Sequence, residues 1–142
     1  MNSPVAIHKV PETSEQIHAF MSRRCALLHP TVLYKKSVII NCGNYHDVRL
    51  YEDYDLFMRV VLEHNVKCYN IQENLYYIRI NDAFFERRGG ISYMKTAVGF
   101  KWRQHRKGYM SLGDFMVSAG GQAAVCLLPN KMRKWVYLNF LR

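Results

Sequence analysis

The sequence has no hydrophobic run long enough to cross a lipid bilayer. The apolar stretch at residues 115–128 covers 14 residues and is interrupted by two glycines and a glutamine, whereas a spanning helix needs about 20 predominantly apolar residues. Near the amino terminus, Pro4, His8 and Lys9 break up any secretory signal. We therefore expect neither a membrane-spanning helix nor a secretory leader.

Cysteine is scarce and scattered. The sequence has four cysteines, far apart and without a C-x-x-C pair, which argues against a zinc site and against a dense disulfide framework. Each cysteine has apolar neighbours, so we expect reduced thiols in the core of a cytoplasmic protein. The four positions are Cys25, Cys42, Cys68 and Cys126.

Negative charge is also in short supply. The chain has 11 acidic residues against 20 Lys and Arg, a formal net charge of +9, and Asp114 is the one acidic residue of segment 101–142. Such an excess favours an anionic partner, which is a nucleic acid, a phosphorylated substrate or an acidic membrane surface. A length of 142 residues with 49% hydrophobic content predicts one globular unit with a substantial core.

Several well-known functional motifs are absent. The sequence contains no phosphate-binding P-loop, no Rossmann glycine pattern, no G-x-S-x-G and no H-E-x-x-H. Ten Tyr, seven Phe and two Trp offer rings on which bases could stack, but no RNA-recognition, KH or helix-turn-helix signature accompanies them. A basic nucleic-acid-binding module therefore remains an alternative hypothesis, and we do not favour it.

Local patterns predict more helix than strand. Thr13 and Gln16 have the spacing of a capping box, and the segment 52–65 has the apolar periodicity of a helix with Leu56, Val60 and Val61 facing inward. A longer helix is predicted after Gly89–Gly90 and up to Gly108, followed by two helical pieces that break at Gly120–Gly121 or at Pro129–Asn130. Strands are predicted at 5–7, at 31–34, and in the two segments 66–72 and 74–80.

Three carboxylates, Glu52, Asp53 and Asp55, crowd the first turn of the predicted helix 52–65. Acidic residues are favoured at the positive end of a helix dipole, yet a carboxylate held there also suits a general base for a hydroxyl nucleophile. The preceding loop "GNYHDVRLY" is irregular enough to line a cleft. Two other interpretations stay undecided. His29 is either a structural hydrogen-bonding residue, a metal ligand or a general base. The segment "ERRGG" at 86–90 is either a phosphate-binding turn or a solvated basic loop.

The order of these pieces resembles a known family. The series "HPTVLYKKSVIINCGNY", "EDYDLFMRVV", "VKCYNIQENLYYIRIN" and "FERRGG" is similar to the C-terminal part of family 2 glycosyltransferases that build bacterial capsular polysaccharide, exopolysaccharide and lipopolysaccharide. The resemblance covers residues 12 to 90 and continues weakly into "LPNKMRKWVYLNFLR". It implies an α/β fold, namely a truncated Rossmann-like GT-A half-domain with a few short strands over residues 1–90, and a C-terminal helical extension over residues 91–142.

The same resemblance implies roles for individual residues. Asp53 corresponds to the catalytic base that takes the proton of the acceptor hydroxyl, with Glu52 as an acceptor contact and Asp55 supporting the helix start. The implied reaction is inverting transfer from a nucleotide sugar to a glycan or lipid-linked acceptor. The substrate-binding candidates are His29, Asp55, Arg79, Arg87 and Arg88.

Two departures from the family pattern shape our expectations. The only Asp-x-Asp is Asp53-Tyr54-Asp55, which belongs to the acceptor side, and Ile78-Arg79-Ile80-Asn81 stands where many relatives have Tyr-Arg-x-His. The Mn²⁺ or Mg²⁺ of the complete enzyme thus has no ligands here, and we expect an inactive fragment without a cofactor.

Partners follow from these departures. We expect a fragment or truncated gene product that lacks the nucleotide-binding half, and a functional half that docks onto a separately encoded nucleotide-binding half is the alternative. Near the carboxyl terminus, Lys131, Arg133 and Lys134 lie among apolar residues, a mixture that suits an anionic membrane surface at the inner face of the cytoplasmic membrane. A helix that packs on the core and exposes a basic face is the alternative.

Overall fold

The computed structural model describes residues 7–140, which form seven α-helices. They are α1 (Ser14–Met21), α2 (Lys36–Asn41), α3 (Glu52–Met58), α4 (Asp82–Glu86), α5 (Ile91–Arg106), α6 (Leu112–Leu127) and α7 (Asn130–Phe140). A 3₁₀ turn at His29–Thr31 precedes α2, and a π-helical turn at Arg59–Glu63 continues α3. None of these helices is long and apolar enough to span a membrane.

The predicted α/β fold is wrong, because residues 7–140 contain no β-strand. The predicted strand at 31–34 is the end of the 3₁₀ turn followed by irregular chain, and 66–72 and 74–80 are irregular as well. Their Tyr, Ile and Val content favours a strand only where a neighbouring strand completes the ladder. Among the described residues no such neighbour exists. The predicted strand at 5–7 lies mostly outside the described residues.

The predicted start of α1 is confirmed. The Gln16 amide donates to the Thr13 hydroxyl at 3.4 Å, and the Gln16 side chain accepts from the Thr13 amide at 3.2 Å. This reciprocal capping box satisfies two backbone donors that the helix cannot pair internally. Ile17 and Met21 on the inner face of α1 are completely buried.

Helix α3 and its π turn form the centre of the core, with Leu56, Val60 and Val61 buried as predicted. Two aromatic residues at the start of α3 anchor it on its neighbours. Tyr51 stacks on Phe100 of α5 with ring centroids 4.5 Å apart, and the Tyr54 hydroxyl donates to a carbonyl of α1 at 2.8 Å. The beginning of α3, which carries the acidic cluster, is therefore fixed from two sides.

The carboxyl-terminal helices follow the predicted plan. Helix α5 ends just before Gly108, whose φ of +82° suits glycine, and the chain returns as α6 along α5. The helical region breaks at Leu128–Pro129, whereas Gly120–Gly121 lies inside α6. All four cysteines are free thiols, and Cys42 and Cys126 are buried.

Arg133 does not lie on an exposed basic face, so it cannot take part in the predicted membrane contact, which stays a prediction for Lys131 and Lys134. The side chain is buried, and its guanidinium donates to the carbonyls of Phe85, Cys126 and Leu128 at 3.0, 3.2 and 2.6 Å. These carbonyls end α4 and α6, so one cation satisfies acceptors at two helix termini. A Cβ on Gly89 would lie 2.0 Å from the Arg133 guanidinium carbon, which explains why glycine stands there.

We predict that Arg133→Lys destabilises the protein by about 2 kcal/mol, because lysine keeps the charge but cannot direct planar donors at several carbonyls. The measurement is the urea midpoint of unfolding at constant slope. Arg106→Lys, on an exposed arginine of α5, is the control and should shift the stability by less than about 0.5 kcal/mol. Equal midpoints for the two variants would show that the carbonyl contacts of Arg133 contribute little.

Candidate functional site

The acidic motif at the start of α3 divides into two outward carboxylates and one inward carboxylate. Glu52 is exposed, Asp53 is partly buried and Asp55 is 1% exposed. No side chain caps the helix from Tyr51, and Asp53 Oδ1 instead accepts from the Tyr54 amide at 2.7 Å. One oxygen of the partly exposed Asp53 carboxylate is thus engaged by a backbone amide of the first helical turn, and the other oxygen remains available.

Asp55 is the centre of a buried polar cluster. Its Oδ1 accepts from Gln104 Nε2 at 3.0 Å and from Lys107 Nζ at 3.1 Å. Its Oδ2 lies 3.1 Å from Arg59 Nε and 3.2 Å from His46 Nδ1. Burial acts to raise the pKa of Asp55, but the hydrogen bonds from Gln104, Lys107 and Arg59 together outweigh it and hold the pKa below its ordinary value. Asp55 is therefore a charged structural anchor, and its role as a substrate contact stays a prediction.

Arg59 extends this cluster into the loop before α3. Besides Asp55, its guanidinium donates to the carbonyl of Cys42 and, at 2.7 Å, to that of Asn44. Between them Gly43 has φ of +84°, and a Cβ there would lie 3.2 Å from the Arg59 guanidinium. Arg59 was not predicted as a site residue from the sequence, although an Asp and an Arg four residues apart on a helix form a recognisable ion pair.

Three polar rings gather on the outer side of the acidic motif. His29 Nε2 lies 3.1 Å from the Tyr45 hydroxyl, which in turn lies 3.5 Å from the Tyr34 hydroxyl. Partial burial, the contact with Tyr34 and the negative charges of Asp53 and Glu52 raise the pKa of Tyr45 to about 12. The two outward carboxylates thus act electrostatically on Tyr45. We call the three rings of His29, Tyr34 and Tyr45 the acceptor cluster.

His29 reaches this cluster from the 3₁₀ turn His29–Thr31, and not from the strand entrance that the sequence predicted. Its ring also meets the edge of Phe57, a core residue of α3, at a centroid distance of 6.1 Å. The loop segment 43–51, predicted to line a cleft, supplies Tyr45 to the cluster. Tyr34 and Tyr45 were not predicted, because a tyrosine in an irregular segment carries no local signal for a site.

The three arginine candidates lie elsewhere. Arg79 is exposed in the irregular segment before α4. Arg87 Nε and Arg88 NH1 donate to carbonyls of α4 itself at 3.3 and 2.9 Å, and Arg88 also covers the Phe84 ring at 3.7 Å. Helix α4 packs against α7. Their binding to substrate phosphate stays a prediction.

The Asp53-Tyr54-Asp55 sequence does not fit a divalent cation. Both oxygens of Asp55 already accept from cationic or amide donors, and Asp55 turns inward while Asp53 turns outward. Within residues 7–140, no three His, Cys, Asp or Glu side chains are grouped as metal ligands. The acidic motif therefore leaves Glu52 and Asp53 as the carboxylates available for acid–base chemistry, while both oxygens of Asp55 are already engaged.

Comparison with known proteins shows what the chain resembles. An uncharacterised glycosyltransferase of Haemophilus influenzae is 33% identical over all of this chain and 52% of its own length. The UDP-Gal:alpha-D-GlcNAc-diphosphoundecaprenol beta-1,3-galactosyltransferase of Escherichia coli is 32% identical over 96% of the chain and 49% of its own length. The amylovoran biosynthesis glycosyltransferase AmsE of Erwinia amylovora is 28% identical over 65% of the chain.

These matches make the chain a homologue of proteins named glycosyltransferases, and it spans about half the length of the first two. No protein-family profile and no solved structure matches it.

Proposed function

We propose that the chain is the acceptor-side part of an inverting glycosyltransferase of family 2 that builds cell-surface polysaccharide. The observation that carries the proposal is the division of the acidic motif, because Asp55 is buried under four donors while Asp53 is left at the surface beside the acceptor cluster. Homology to named glycosyltransferases over the whole chain supports it. The Escherichia coli relative acts on a lipid-linked acceptor, which supports an acceptor of that class here.

In the proposed reaction, Asp53 acts on the acceptor hydroxyl. The carboxylate takes the hydroxyl proton while the oxygen forms its bond to the anomeric carbon of the donor sugar, and the bond from that carbon to the nucleotide diphosphate breaks with its electron pair on the leaving group. The leaving diphosphate needs cationic stabilisation. The described residues do not fit Mn²⁺ or Mg²⁺, so this stabilisation belongs to the nucleotide-binding part of the enzyme.

The remaining groups of the site orient the acceptor. Glu52 is exposed next to Asp53 and can accept a hydrogen bond from a second sugar hydroxyl. His29, Tyr34 and Tyr45 offer hydroxyl and imidazole groups together with ring faces. Arg59 holds the loop that carries Tyr45, which fixes the geometry on which a proton transfer depends.

An exposed apolar segment favours a second part of the proposal, that a nucleotide-binding half covers residues 66–80. Four large apolar residues of this segment are mostly exposed to solvent, namely Tyr69 (63%), Ile71 (63%), Leu75 (70%) and Tyr77 (75%). Large apolar side chains that are exposed so close together in the sequence favour a contact with another protein surface. That half is supplied within the same polypeptide or as a separate chain.

The experiment is a chimera in which this chain replaces the matching segment of the Escherichia coli galactosyltransferase. We expect the chimera to transfer galactose from UDP-galactose, and the isolated chain to transfer none and to show no metal-dependent affinity for the nucleotide sugar. The readout is radiolabelled product, with circular dichroism to establish folding. A folded chimera without transfer, beside an active parent enzyme, would contradict the proposed function.

A further inference from the structure

A cationic cavity of about 320 Å³ shares no lining residue with the acceptor cluster. It is enclosed by the turn after α1 and by α5, α6 and α7. Arg23, Arg24 and Lys101 line it, and no carboxylate is among its lining residues. Ser118, Gln122 and Tyr137 add neutral hydrogen-bonding groups. A concave site with three cations and neutral donors has the composition of an anion site.

Lys101 is the deepest of the three cations. Lys101 as a whole is 7% exposed, and its Nζ donates to the Ser118 hydroxyl. Within residues 7–140, no carboxylate lies within ion-pair distance of it. Burial and, to a smaller extent, the charge of Arg24 lower the pKa of Lys101 to about 8. A buried ammonium without a counter-ion is costly, and an anion in the cavity would remove that cost.

The two arginines stand at the more exposed side of the cavity. Arg23 pairs through Nε with Asp114, and 69% of its side chain stays accessible. Arg24 is close enough to Lys101 for its charge to act on that lysine. Guanidinium groups bind phosphate oxygens through several planar donors. Together with Lys101 they match the charge of a phosphate or diphosphate better than that of a single carboxylate.

The cavity opens beside an uncharged face of α6. Leu112, Met116 and Val117 are 58%, 62% and 73% exposed, and the face continues over Gly120, Gly121 and Ala124 to the exposed Leu127. Asp114 is the single charged residue of α6. Val117 and Gly121 also line the cavity, so the cationic site and the apolar face are continuous.

We propose that this cavity binds the phosphate or diphosphate group of a lipid-linked acceptor, whose hydrocarbon chain lies along the uncharged face of α6. The inference rests on the proposed function for its acceptor class, and on the continuity of cationic and apolar surface for its location. A water-soluble diphosphate would bind the cations of the cavity and leave the uncharged face of α6 exposed to water. A lipid diphosphate would bind the cations and also cover that face with its hydrocarbon chain.

The test is calorimetry on the purified chain with four probes below their micelle concentrations. These are farnesyl diphosphate, inorganic pyrophosphate, UDP and farnesol. We expect farnesyl diphosphate to bind at least about tenfold more tightly than the other three, since burial of apolar surface contributes about 25 cal/mol per Å². Lys101→Met should weaken the binding of farnesyl diphosphate at least about tenfold, and Lys95→Met, on an exposed lysine of α5, should leave it unchanged.

A pH series on the unaltered chain checks the role of Lys101 without a substitution. Protonated Lys101 binds the anion, and with a pKa of about 8 the affinity should fall up to about eightfold between about pH 7.5 and about pH 9. Asp114 has a pKa lowered by its hydrogen bond from Arg23, and burial raises the pKa of Tyr137, so neither changes its charge in this range. The two other charged residues that line the cavity are Arg23 and Arg24.

The outcomes separate this inference from the proposed function. Equal affinity of the Lys101→Met and unaltered chains, together with a flat pH series, would overturn the cationic site. Pyrophosphate or UDP binding as tightly as farnesyl diphosphate would overturn the lipid assignment. Asp53→Asn should bind farnesyl diphosphate normally. A chimera that transfers no sugar but binds farnesyl diphosphate through Lys101 would therefore contradict the proposed reaction and still support the anion site.

Discussion

Replacing Asp53 by Asn in the active chimera is expected to lower the rate of sugar transfer about a thousandfold, the range found when a general base is removed. Asn keeps the shape of the side chain, and its amide oxygen can still accept from the Tyr54 amide as Asp53 Oδ1 does. The fold should therefore persist while the proton acceptor is lost. The measurement is the initial rate of transfer at saturating donor, with thermal unfolding followed in parallel.

Asp47→Asn is the matched control for this prediction. Asp47 is an exposed carboxylate of the loop before α3, so the substitution removes the same charge nearby without touching the proposed base. We expect its rate to stay within about twofold of the unaltered chimera, because surface substitutions rarely disturb a site. If Asp53→Asn retained a rate within tenfold of the unaltered chimera, another group would have to take the acceptor proton.

Asp55→Asn is expected to reduce the free energy of unfolding by about 3–5 kcal/mol, since removing the carboxylate leaves the buried Arg59 guanidinium without a counter-charge. Arg59, which is 5% exposed, would lose the Asp55 carboxylate as its ion-pair partner, and Lys107 would lose the same partner. The NH₂ group of the new Asn side chain would also face N–H donors instead of acceptors. A typical domain is stable by about 5–15 kcal/mol, so this one substitution removes a large share of the total. Urea unfolding near neutral pH measures it.

The pH dependence gives the same prediction a second readout. The folded pKa of Asp55 is lowered from 3.8, so its contribution is fully present above the unfolded pKa and is lost as the pH falls through the folded pKa. The difference between unaltered protein and Asp55→Asn should therefore shrink in acid. Asp82→Asn, which breaks the exposed pair with Lys134, should cost less than about 1 kcal/mol at any pH. Similar losses for the two variants would contradict the anchoring role of Asp55.

The helices could be predicted from the sequence because their signals are local. Thr13 and Gln16 lie within one turn of each other, and Leu56, Val60 and Val61 share a face by spacing alone. Strands at 66–72 and 74–80 could not be predicted reliably, because a strand depends on a neighbour distant in sequence. Their composition favours a sheet, but the described chain provides no partner strand, and the prediction of two strands was wrong.

The structure brings some of the predicted site residues near one another and separates others, and their roles stay predictions. His29 contacts Tyr45, on which the charges of Asp53 and Glu52 also act, whereas Arg87 and Arg88 bind their own helix. The buried cations Arg59, Lys101 and Arg133 were not anticipated as such. A basic residue looks solvent-exposed in any local window, and its burial depends on carbonyls and carboxylates brought from elsewhere in the chain.

The exposed segment 66–80 has a consequence for the fate of the chain outside its assembly. "NLYYIRI" combines high strand propensity with one charge and no proline or glycine, a composition that forms intermolecular cross-β stacks when uncovered. Lys67, Glu73 and Arg79 are the charges within segment 66–80 that oppose such stacking. If the proposed nucleotide-binding half covers this segment, a polypeptide synthesised without that half would be a substrate for chaperones and proteases, and its abundance in a cell would follow the supply of that half.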